Sequence, residues 1–81
     1  MKLIDIGFGS VIAAGRVLAM VDPDSAPIKR VVQEAKERAM LIDASYGRST
    51  KSVILMDTDH VILSARTPEE LSAQLAKEEE A

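Results

Sequence analysis

The stretch Leu41-Ile42-Asp43-Ala44-Ser45-Tyr46-Gly47-Arg48-Ser49-Thr50-Lys51-Ser52-Val53-Ile54-Leu55-Met56 sets two apolar runs on either side of a short polar centre. Both runs have strand length, and Gly47 supplies the positive φ that a tight turn needs. The stretch therefore predicts a β-hairpin, with strands at 41–44 and 52–56 and a tip that turns Arg48 and Lys51 outward. Arginine forks onto a phosphate or a guanine edge, while Ser49, Thr50 and Lys51 can donate to phosphate oxygens. A turn is also polar simply because it is wet, and residues 47–51 taken alone are better read that way. Tyr46 either stacks on a ligand or caps the core, with the core the better reading.

Working outward, Asp57-Thr58-Asp59 is a tight turn and residues 60–65 form a further strand. Thr67-Pro68-Glu69-Glu70 then has an N-cap, a proline at the first helical position and a glutamate three residues on, the pattern of a capping box. The helix it opens carries Leu71 and Leu75 on one face, and residues 77–80 are expected to fray. On the other side of the stretch, Ser25 caps a helix with Pro27 in its first turn. Ile28, Val31, Val32, Ala35 and Ala39 form one apolar stripe along that helix. Three short strands precede it at 3–6, 10–13 and 16–21, the last ended by Asp22-Pro23-Asp24. The expected class is α+β: a small, mostly antiparallel sheet of about six short strands, one central amphipathic helix and one C-terminal helix. All of it fits one domain, residues 1–81, with 67–81 as the C-terminal helix and acidic tail.

Residues 17–21, 53–56 and 61–63 are continuous apolar runs, whereas a strand with one wet face alternates. Two short helices look too few to cover both faces of such a sheet. A second subunit is therefore expected to cover the rest, and a small chain without cysteine has no disulfide to reinforce it. No apolar run reaches the ~20 residues of a membrane span, so a soluble, cytoplasmic protein is expected.

The formal net charge is −3, but it is unevenly spread. Residues 1–66 hold nine Lys/Arg against eight Asp/Glu, and residues 67–81 hold one against five. The body is thus nearly neutral, with room for a basic face toward a polyanion. Arg16 either joins Arg48 on that face or pairs with a nearby carboxylate, the pair being favoured. Lys29 and Arg30 fall in the first turn of a helix, where the macrodipole disfavours cations. A bound anion or a neighbouring subunit's carboxylate would equally explain them.

Enzymatic chemistry is not in view. Asp57, Asp59 and His60 lack calcium-loop spacing because Ile62 stands where that loop needs glycine. Gly7-Phe8-Gly9 lacks the third glycine and the βαβ setting of a nucleotide fingerprint. His60 is the single histidine, with no nucleophile to serve. No catalytic residue, metal, cofactor or small-molecule substrate is expected.

Four blocks in order carry a resemblance: Asp5-Ile6-Gly7-Phe8-Gly9, Ser25-Ala26-Pro27-Ile28-Lys29-Arg30, Asp43-Ala44-Ser45-Tyr46-Gly47-Arg48 and residues 56–65. Together they resemble the extracellular matrix regulatory protein RemA family, without gaps over about residues 3–70. The resemblance implies a DNA-binding transcriptional regulator of biofilm matrix genes that acts as a ring-like homo-oligomer on double-stranded DNA. It implies DNA contacts at Arg16 and at the Gly47-Arg48 tip, to which Ser49, Thr50, Lys51, Lys29 and Arg30 are added as supporting candidates. The family pattern has a second arginine where this chain has Ser49, so one charge per subunit is missing and a weaker grip on phosphate is expected. A scaffolding oligomer whose basic tips meet an acidic protein is the alternative. A small-molecule-binding ring, holding a nucleotide at the Ser25 helix start, is a third.

Overall fold

A computed structural model describes residues 2–79 of the chain. In order it has β1 Leu3–Gly7, β2 Ser10–Ala13, a 3-10 turn at Ala14–Arg16, β3 Val17–Val21, α1 Ala26–Glu37, β4 Leu41–Asp43, β5 Ser52–Met56, β6 Val61–Ser64 and α2 Pro68–Glu79. Six strands and two helices thus follow the expected sequence, and the class is α+β. Glu80, the last residue expected to fray, lies outside the described residues.

The strands divide into an antiparallel ribbon, β1–β2, and a four-stranded sheet of order β3-β5-β6-β4. This corrects the hairpin. β4 and β5 are not neighbours, because β6 lies between them. β6 is antiparallel to β5, pairing Ile54 with Ile62, and parallel to β4, pairing Ile42 with Ile62. Residues 44–51 therefore arch over the C-terminal end of β6. Their length was the clue, since hairpin turns usually take two to five residues.

The core explains the unbroken apolar runs. Ile54 and Ile62 face the ribbon and α2, packing with Ile4, Ile6, Ala44 and Leu71. Their sequence neighbours Val53 and Val61 face α1, packing with Ala35, Ile28, Val31 and Val32. Strand residues alternate between faces, so β5 and β6 are apolar throughout because one chain covers both sides. The expectation that two helices are too few missed the ribbon, which with α2 covers a whole face. What stays open on the strands lies at the edges of the sheet, where Leu18 on β3 is 71% and Ile42 on β4 47% exposed, and on the ribbon, where Leu3 and Val11 are exposed.

Both helices begin as their sequences predict. Ser25 Oγ accepts from the Ile28 amide at 3.3 Å. The Thr67 amide donates to Glu70 Oε1 at 2.9 Å, and the Glu70 amide donates to Thr67 Oγ1 at 3.1 Å. The backbone and then the hydroxyl of Thr67 hold the Glu70 carboxyl below its ordinary value. Helix α1 ends two residues before Ala39, the last member of its stripe. Ala39 takes φ +57, its amide donates to the Lys36 carbonyl, and the Met40 amide donates to the Ala35 carbonyl. That is a Schellman ending, with alanine where glycine is usual, so Ala39 lies beyond the helix and is exposed.

Polar contacts join the layers. The Gln74 amide group of α2 donates to the Asp5 carbonyl at 2.7 Å and accepts from the Asp5 amide at 2.8 Å, closing that position of β1. Ser64, fully buried at the end of β6, donates to the Ile6 carbonyl at 2.9 Å and accepts from the Arg66 amide at 3.1 Å. Removing that hydroxyl strands a buried carbonyl, which costs about 1–3 kcal/mol. Ser64→Ala is accordingly expected to lower stability by about that amount in urea unfolding; an unchanged midpoint would show that the contact carries no weight.

Candidate functional site

The arch over β6 is rooted before it is exposed. The Ala44 amide donates to the Leu63 carbonyl at 2.9 Å and the Lys51 amide to the Ser64 carbonyl at 2.8 Å, so both feet of the arch are hydrogen-bonded to the last residues of β6. Ala44 and Ser45 are buried. Ser45 donates to Asp43 Oδ1 from its hydroxyl at 2.5 Å and from its amide at 2.9 Å. A turn closed by the Arg48 amide on the Ser45 carbonyl at 3.1 Å follows, passing through Tyr46 at φ +52 and Gly47 at φ +82. Tyr46, Gly47, Arg48, Ser49 and Lys51 are exposed. The side chains best placed to meet a ligand therefore stand on a fixed base.

A second turn faces this arch. Gly7, Phe8 and Gly9 link β1 to β2, all with positive φ, and Gly7 at +103 is in a region that side chains rarely enter. Gly7, Phe8, Arg48, Ser49, Lys51, Ala65, Arg66 and Glu70 line an open groove of about 480 Å³. The Arg48 guanidinium lies 5.8 Å from the centre of the Phe8 ring, and Phe8 meets Tyr46 edge-on. Tyr46 is thus outside the core, contrary to its expected place, because the arch lifts it away from the sheet.

Arg66 is a third cation in this groove that sequence reasoning does not reach. Its place beside Lys51 follows from β6 lying next to β5, which the hairpin reading hides. Arg66 is shared between Asp5 at 3.4 Å and Glu70 at 3.6 Å. Among the described residues, neither Arg48 nor Lys51 has a carboxylate within 4 Å.

The remaining candidates lie elsewhere. Thr50 and Lys29 share a shallower groove with Pro23, Asp24, Val32, Val53 and Leu63, on the α1 side of the sheet. Arg30 is exposed beside Lys29 but lines neither groove. Arg16 is at the far end of the sheet, since β3 pairs Val17 with Met56 there and Val21 with Val53 at the arch end. That separation is roughly 13 Å of strand. Arg16 pairs with Asp57 at 3.6 Å, the carboxylate partner its sequence favoured. Both side chains are largely exposed, so the pair contributes little, about 0–1 kcal/mol, and can be exchanged for another anion. Asp59 closes the turn with its amide on the Met56 carbonyl, and His60 Nδ1 meets Thr58 Oγ1 at 2.8 Å.

The arch has its own acid sensitivity. The Ser45 hydroxyl, and next its amide, hold the Asp43 carboxyl below its ordinary 3.8. A carboxyl lowered on folding stabilises the fold fully above its unfolded value, and that contribution is lost as pH falls through the lowered folded value. Asp43→Asn should therefore flatten part of the acid-side fall in melting temperature below 3.8, with thermal melts across that range as the check. Parallel acid limbs in the two proteins would contradict it.

Known proteins bear on this arrangement. The family described as RemA-like, extracellular matrix regulatory protein A-like, matches residues 3–75. A protein of Halothermothrix orenii named "Putative regulatory protein" is 60% identical over 79 residues, covering 98% of this chain and 94% of its own length. One of the same name from Caldicellulosiruptor saccharolyticus is 59% identical over 80 residues, covering 99% of this chain and 79% of its own. Another from Bacillus pumilus is 56% identical over 80 residues, covering 99% and 90%. The match takes in both turns of the groove, the arch and the start of α2, and on that extent the chain belongs to the RemA-like family.

Proposed function

We propose that this chain is a DNA-binding transcriptional regulator that acts as a ring-like homo-oligomer, with biofilm or extracellular matrix genes among its targets. The observation that supports the reading best is the pair of exposed cations on the rooted arch, Arg48 and Lys51, with Arg66 in the same groove. The names of the relatives agree with a regulator. In this reading the protein has no catalytic role, needs no cofactor and works at the nucleoid in the cytoplasm.

The mechanism is electrostatic repetition. Arg48 forks onto a phosphate or a guanine edge, Lys51 and the hydroxyls of Ser49 and Thr50 add single donors, and Lys29 and Arg30 extend the basic edge from α1. One such set is weak at physiological salt, and the charge missing at Ser49 makes it weaker. A ring multiplies it, because each neutralised phosphate adds about 0.9 to the salt dependence of affinity and linked contacts act together. Leu18 and Ile42, open on the two edge strands, suit contacts between subunits. A head-to-tail repeat would bring the Arg16 end of one subunit toward the arch of the next, giving DNA one track across both. Such a curved track favours sequences that bend cheaply.

Arg48→Ala is expected to abolish the gel shift of duplex DNA in the presence of heparin competitor, with the assembly unchanged on size exclusion. Undiminished binding by that variant would overturn the arch as the contact. Native protein at micromolar concentration is expected to elute as a closed oligomer, and a monomer would remove the repetition on which the mechanism rests.

A further inference from the structure

The chain has one phenylalanine, one tyrosine and no tryptophan, and neither aromatic is in the core. Phe8 is 52% and Tyr46 64% exposed. They touch each other from two different turns, with ring centroids 5.5 Å apart and planes at 63°. Both residues also hold left-handed backbone, φ +54 and +52, a conformation that bulky L-residues avoid and that glycine or asparagine adopts readily. Two separate turns thus carry strain and exposure together, and the product is a single apolar surface. The Tyr46 hydroxyl is 3.5 Å from Ser10 Oγ, so little besides Phe8 holds that ring. Folding alone does not call for this arrangement, since asparagine at either position would relax the backbone and leave water in contact with less apolar area.

The surroundings restrict the occupant. Arg48 stands over the Phe8 ring, and Lys51 and Arg66 line the same groove. Flat apolar rings bordered by cations complement a ligand that has flat faces and regularly spaced negative charge. A second copy of this chain meeting the patch with its own patch would set like-charged rims against each other. Duplex DNA has both properties, with flat sugar faces and base edges between its phosphates and base faces that open at weakly stacked steps.

We propose that Phe8 and Tyr46 form an apolar contact on duplex DNA, lying against the sugars and base edges between the phosphates held by Arg48, Lys51 and Arg66. This rests on the DNA reading above and adds a source of sequence preference to it. Apolar side chains pressed against a base step part it most easily where stacking is weak, so the pair favours flexible pyrimidine–purine steps. Its contribution involves no counterion release and is therefore nearly independent of salt.

The test uses the full chain and a duplex containing such a step. Phe8→Asn and Tyr46→Asn fit the left-handed turns, so their melting temperatures should equal or exceed that of the native protein. Duplex affinity should nevertheless fall roughly fivefold or more for each variant, with the slope against salt unchanged. As the single tyrosine in a chain without tryptophan, Tyr46 dominates the intrinsic emission, and in the native protein that emission, corrected for absorption by the duplex, should be quenched by saturating duplex. Variants that bind as tightly as the native protein, or native emission that stays constant while duplex binds, would overturn this contact and leave the Arg48 reading standing. Native protein that binds no duplex at all would overturn both.

Discussion

The pairing of β4 with β6 in parallel is the constraint on which the rest of the molecule depends. Because β6 enters between β4 and β5, the chain from Asp43 to Ser52 must cross the end of a strand rather than turn back on itself. The crossing ties Ala44 and Lys51 to the last carbonyls of β6 and buries Ala44 and Ser45 under the loop. It also leaves Arg48 facing the β1–β2 turn and brings Arg66, just beyond β6, into the same groove. Ser64 is the hinge point of this arrangement, since its side chain reaches the ribbon while its carbonyl holds the arch.

The order of elements was legible because its signals are local. Ser25 and the Thr67–Glu70 pair mark two helix starts by hydrogen-bonding chemistry, and Asp22-Pro23-Asp24 marks a strand end by removing a donor. Strand order is not local. Two strands joined by a polar loop with a glycine look like a hairpin whether or not a third strand lies between them. The apolar runs at β5 and β6 were read rightly as covered on both faces. Much of the cover they were expected to take from a second subunit comes from the β1–β2 ribbon, whose sequence gives no sign that it folds across the sheet. The site was legible in the same measure. Arg48 and Lys51 stand where the polar centre of the stretch put them, whereas Arg66 and the outward Tyr46 depend on topology. Ala39 shows the limit of periodicity: spacing continued the stripe, but a left-handed residue had already ended the helix.

The electrostatics of the groove are modest by design of its neighbours. Asp5 and Glu70 hold Arg66, and Asp57 holds Arg16, so two of the basic side chains start out neutralised. These pairs are at least partly exposed and weak, so an incoming phosphate can take over the arginine at little cost. Arg48 and Lys51 begin without such partners among the described residues. A single subunit thus presents a small, partly screened set of charges, in keeping with a chain of net charge −3. On the proposed reading, tight binding to DNA would have to come from many copies acting on one duplex.

The salt dependence of native duplex affinity measures that dependence on repetition. The six cations that one subunit can offer, Arg48, Lys51, Arg66, Lys29, Arg30 and Arg16, neutralise at most six phosphates and give a slope of log affinity against log salt of about −5.4. A distinctly steeper slope is expected, as several subunits engage one duplex. A slope no steeper than that of one subunit, or none at all, would contradict repetition.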